Sequence, residues 1–62
     1  MRDNLKYYRK LNGFTQQEMA DKLGISKSYY NEIERGVSNG TVIIFKQIAK
    51  IFDIEFDPHN LI

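Results

Sequence analysis

Sixty-two residues with no cysteine and a formal charge of +1 leave room for one small core and exclude a two-domain enzyme, a large barrel or a doubly wound nucleotide-binding sheet. Without cysteine there is no disulfide, no thiolate metal site and no cysteine nucleophile, so a reducing compartment is expected. Met1 is followed by Arg2, Asp3 and Asn4, and nothing approaches the roughly 18 apolar residues of a membrane span, so the expectation is a soluble, cytoplasmic protein.

Charge is unevenly placed. Residues 1–50 hold all nine Lys and Arg against five acids, a net of +4, while the last twelve carry Asp53, Glu55 and Asp57 and no base, a net of −3. A basic body with an acidic tail suits a surface that meets phosphate on one side.

Gly13, Gly24, Gly36, Gly40 and the lone Pro58 cut the chain into segments of roughly ten residues, a length suited to short helices. No segment keeps the two-residue alternation of a strand. Leu5, Tyr8 and Leu11, at three-residue steps, predict a first helix. Thr15 with Glu18 forms a capping box, and Phe14 with Met19 a hydrophobic staple around it. The second helix therefore runs over Gln16–Leu23 and stops at Gly24. Ser26 caps a third over Lys27–Arg35, stapled by Ile25 and Tyr30 and ended by Gly36. Thr41 caps a fourth through about Phe52, with Val42, Phe45, Ile48, Ala49 and Phe52 on one face. Asp57-Pro58 pairs a cap with a proline at the first helical position, predicting a fifth helix. The expected architecture is all-α, five helices in one domain over residues 1–62.

At about 100° per residue the third helix divides cleanly. Lys27, Asn31, Arg35, Ser28 and Glu32 fall between about 0° and 140°, and Tyr29, Ile33, Tyr30 and Glu34 between about 200° and 340°. One face is polar and the other holds the apolar residues. Capped helix, glycine turn, capped helix is a helix-turn-helix layout.

The run FTQQEMADKLGISKSYYNEIERG over 14–36 resembles the core of the phage repressor and Cro-type helix-turn-helix family, with its TQQEMA, LGIS and IERG elements. The likeness covers about residues 5–56. It implies that the third helix lies in the DNA major groove, with Lys27, Ser28, Glu32 and Asn31 at base-reading positions. Gln16, Tyr29, Arg35 and Asn39 would meet the phosphate backbone. It also implies a partly buried ion pair between Arg9 and Glu34 joining the first and third helices. Three positions depart from the family pattern. Tyr30 replaces a compact aliphatic residue, so the seam between the second and third helices is expected to open or to let the ring reach the surface. Gly40 replaces a common proline, and Asp53 a common glycine.

The fourth helix is more apolar than one core face requires. Ile44 and Ile51, with Phe56, Leu61 and Ile62, form a candidate surface for a second copy of the chain. His59 is alone, no carboxylates converge and no glycine-rich phosphate loop follows a strand, so no catalytic site, metal, cofactor or small-molecule ligand is expected. The expected function is sequence-specific binding of double-stranded DNA as a Cro-like repressor, bacterial or phage-encoded, that dimerises on a pseudo-palindromic operator. The alternative is a protein-interaction module, such as an antitoxin or anti-repressor, acting through the fourth helix.

Overall fold

Three of the helices begin where a short hydroxyl side chain can take up an amide that the first turn leaves unpaired. The computed structural model describes residues 3–55, arranged as α1 (Asp3–Leu11), α2 (Gln16–Leu23), α3 (Lys27–Arg35) and α4 (Val42–Phe52), with no strand among the described residues. Thr15 Oγ1 accepts from the Glu18 amide at 3.1 Å while Glu18 Oε1 accepts from the Thr15 amide at 2.9 Å, completing the capping box. Ser26 and Thr41 hydroxyls accept from the Tyr29 and Ile44 amides, each at 3.1 Å. The fifth helix expected at Asp57-Pro58 lies outside the described residues.

Gly24 turns α2 into α3. Its φ of 69° is left-handed, where a Cβ would be strained, and the Ile25 amide then donates back to the Ala20 carbonyl at 3.0 Å. This tight return lays α3 across α2. Between them and α1 and α4 sits one core containing Leu5, Met19, Ala20, Tyr30, Ile33, Phe45 and Ile48. Tyr8, half-buried, stacks on Phe52 with ring centroids 5.9 Å apart, tying α1 to α4.

Leu11 and Val42 lie in the helices their spacing predicts but are 66% and 58% exposed. Three-residue steps drift by about 60° each, so Leu11 has rotated well away from Leu5. Val42 stands in the first turn of α4, at the edge of its stripe. Ile44, expected on a partner surface, is instead buried in the core, because it lies one turn before Ile48 on the same face. Ile51 is half-buried against the core, and Phe56, Leu61 and Ile62 lie outside the described residues. The isoleucine that α4 does present to solvent is Ile43, 69% exposed.

Tyr30 neither opens the seam nor reaches the surface: its ring is fully buried. Its hydroxyl lies beside Glu34 and Arg9, near enough for the O–H dipole to act on the Glu34 charge but outside hydrogen-bond geometry. Burial, and then the Glu34 charge, push the phenol well above its ordinary value of 10.

Both departures around α4 have backbone reasons. Gly40 has a φ of 63°, which proline's fixed φ near −65° cannot supply, and a Cβ there would lie 3.3 Å from the Phe45 ring. Asp53 itself takes the left-handed position that caps α4, with φ 56°, doing with local strain what glycine does freely.

Candidate nucleic-acid interface

The outer face of α3 is organised from inside outward. Arg9 is nine-tenths buried and Glu34 is 3% exposed. Arg9 Nε donates to Glu34 Oε2 at 2.8 Å and Nη2 to Oε1 at 3.0 Å, a bidentate pair across α1 and α3. Arg9 Nη1 also donates to the Phe14 carbonyl at 2.9 Å, so one guanidinium holds the end of α1, the approach to α2 and the inner side of α3. Burial alone would raise the Glu34 carboxyl, but the Arg9 hydrogen bonds and charge, aided by the Tyr30 hydroxyl and Gln16, hold it below its ordinary value. The same hydrogen bond to Glu34 raises Arg9 further.

This clamp fixes the roll of α3. With Tyr30, Ile33 and Glu34 turned inward, the opposite side must face solvent. There Lys27, Ser28, Asn31, Glu32 and Arg35 line an open groove of about 370 Å³. Lys27, Ser28, Glu32 and Arg35 are exposed and Asn31 is half-buried. The lining supplies two cations, one carboxylate, a hydroxyl and an amide. Those are the donor and acceptor types that discriminate base edges in a major groove.

Of the residues expected at phosphate, Arg35 lines the groove, whereas Tyr29 and Asn39 lie outside it. Tyr29 is half-buried against the core and Asn39 is exposed in the connection to α4. Gln16, at the first position of α2, is half-buried and tied to α3: its Oε1 accepts from Asn31 Nδ2 at 3.1 Å, and its Nε2 donates to Glu34 Oε1 at 3.4 Å. Sequence reasoning placed Gln16, Asn31 and Glu34 in separate roles and missed this chain of contacts. The spacing held a signal, since Asn31 and Glu34 are one turn apart on α3 and flank the side nearest α2.

Among the described residues no helix is long and apolar enough to cross a membrane, and no group of three or more His, Asp or Glu side chains converges to hold a metal ion.

Two capped helices joined by a glycine turn, the second presenting a polar groove, define a helix-turn-helix protein. The chain belongs to the helix-turn-helix family, whose model matches residues 5–58. It is 37% identical over 57 residues to an uncharacterized HTH-type transcriptional regulator of Methanocaldococcus jannaschii, an alignment covering 92% of this chain and 86% of that protein. It is 33% identical over 51 residues to the HTH-type transcriptional regulator SinR of Bacillus subtilis, covering 81% of this chain but only 46% of SinR. Among solved structures it resembles SinR, the master regulator for biofilm formation, in complex with DNA, with a TM-score of 0.78, 30% identity and full coverage of both chains.

Proposed function

We propose that this chain is a sequence-specific double-stranded DNA-binding transcriptional regulator that reads the major groove with the outer face of α3. The observation that carries the reading is the exposed groove of Lys27, Ser28, Asn31, Glu32 and Arg35, held outward by the buried Arg9–Glu34 pair. Family membership and the likeness to SinR, solved in complex with DNA, support it.

In this reading Lys27 donates to guanine O6 or N7, Ser28 bonds an adjacent base, and Glu32 accepts from a cytosine amino group. Asn31 borders the same groove. Gln16, Tyr29, Arg35 and Asn39 hold the register through phosphate oxygens and carry no sequence information. The chain acts as a repressor by occupying a pseudo-palindromic operator as a dimer, with half-sites about one helical turn apart. Ile43 and Ile51 on α4, with the C-terminal residues Phe56, Leu61 and Ile62, are the proposed meeting surface of two copies; Ile44 drops out of it.

Titration of binding against salt tests the reading. Affinity for duplex DNA is expected to fall with a log–log slope of about −0.9 per phosphate contacted. A folded chain whose affinity for DNA is negligible at every salt concentration contradicts it.

A further inference from the structure

Asn31 differs from the other groove residues. Lys27, Ser28 and Glu32 stand exposed, whereas Asn31 is half-buried and its amide already donates to Gln16 at 3.1 Å.

The direction of that bond is dictated from the core. The Glu34 carboxylate, kept ionised by Arg9, can only accept. Gln16 must therefore turn its NH2 group toward Glu34, at 3.4 Å, and this leaves its carbonyl facing away. Only a donor satisfies that carbonyl, and Asn31 Nδ2 is the donor in place. One proton of Gln16 Nε2 is directed at Glu34 and the second remains to be given elsewhere. Polarity thus propagates from the buried pair, through the first residue of α2, to the rim of the groove.

We infer that Asn31 is a positioning residue: by holding the Gln16 carbonyl at 3.1 Å while Glu34 takes one N–H at 3.4 Å, it completes the two-ended hold that offers the second N–H of Gln16 to a DNA phosphate, and it does not itself read a base. The inference rests on the DNA-binding reading of the groove. It separates two roles that residue type alone leaves merged, since asparagine is also a common partner of adenine.

The test has two arms. In the free protein, the Gln16 side-chain amide resonances, assigned by their loss in Gln16→Ala, should shift toward the position of a solvated glutamine in Asn31→Ala as the weaker bond to Glu34 at 3.4 Å is left to hold the amide alone, with the backbone spectrum and melting temperature retained. In binding, Asn31→Ala should weaken the affinity for all duplexes, selected and random alike, by about fivefold, the scale of one hydrogen bond. In the Gln16→Ala background the same change should have less than about a twofold effect, because positioning and positioned groups act as one unit. The inference is overturned by unmoved Gln16 amide signals, by effects that simply multiply, or by a changed preference at a single base pair in Asn31→Ala. Should the native chain bind no duplex at all, the DNA reading fails, and the amide signals alone decide whether Asn31 orients Gln16.

Discussion

Two glutamates two residues apart on α3 meet opposite fates. Glu34 is 3% exposed and held by both ends of a guanidinium fork; Glu32 is exposed on the groove with no ion pair among the described residues. A buried carboxylate is tolerable only when its charge is matched and its lone pairs are used, so Glu34 is committed to the fold. An exposed carboxylate costs little to keep and is available to a partner. In the proposed reading the inner and outer faces of one short helix divide stability from recognition, and substitutions on the two faces should fail in different ways.

The largest effect is expected on the inner face. Glu34→Ala strands the Arg9 charge and should cost about 3–5 kcal/mol, enough to abolish the thermal transition followed by circular dichroism in so small a domain. A cooperative melt near the native temperature would erase the distinction between the faces. The same pair sets an acid limit. Because Glu34 titrates lower in the folded chain than its ordinary value of 4.5, its contribution is fully present above that value and is lost as pH falls through the folded one. Stability measured against pH should therefore drop in the acid range below about 4.5.

On the outer face, Lys27→Ala and Glu32→Gln should leave the melting temperature unchanged and alter binding. Each is expected to cost about 1–3 kcal/mol of discrimination at one base pair, read by competition between the selected duplex and its single-base variants. A matching loss of stability would place these residues in the fold instead.

Tyr30 sharpens the comparison from the alkaline side. Its pKa is raised on folding, so the stability linked to its neutral form is present below its ordinary value of 10 and declines above it. The unfolded chain releases that proton while the folded one retains it, giving a loss of about 1.4 kcal/mol per pH unit above 10. Tyr30→Phe should remove this slope, and denaturant titrations at pH 9 and pH 11 would show it.

The smallest effect belongs to Asp53. With φ at 56°, Asp53→Gly relieves left-handed strain and should stabilise by about 0.5–1 kcal/mol, part of the gain being offset by glycine's freedom in the unfolded chain. A rise in the denaturation midpoint, with binding unaltered, is the expected outcome.

Much of this molecule was legible before its structure. Caps and glycine stops are local chemistry, and Thr15, Ser26, Gly24 and Gly36 bounded α2 and α3 at the residues where they begin and end. The division of α3 was equally legible, because a helical period turns spacing directly into direction. Azimuth says less about burial at helix ends, where Leu11 and Val42 share a helical pattern with core residues and are nonetheless exposed. Ile44 was misplaced because an apolar excess says how much surface is greasy without saying which residue the core takes. Tyr30 needed the tertiary structure: only the proximity of the Arg9–Glu34 pair explains a buried phenol in an aliphatic seam. The Gln16–Asn31 contact joins residues fifteen apart in sequence and rests on the crossing of α2 and α3.

The central claim, that the outer face of α3 reads base sequence, is met most directly by selecting bound duplexes from a randomised library at near-physiological salt with the native chain and Glu32→Gln side by side. The account predicts a pseudo-palindrome with half-sites about 10 base pairs apart for the native chain, and a lost preference at one pair in each half-site for the variant. Enrichment of nothing by a demonstrably folded native chain, or an identical preference from both proteins, would contradict it.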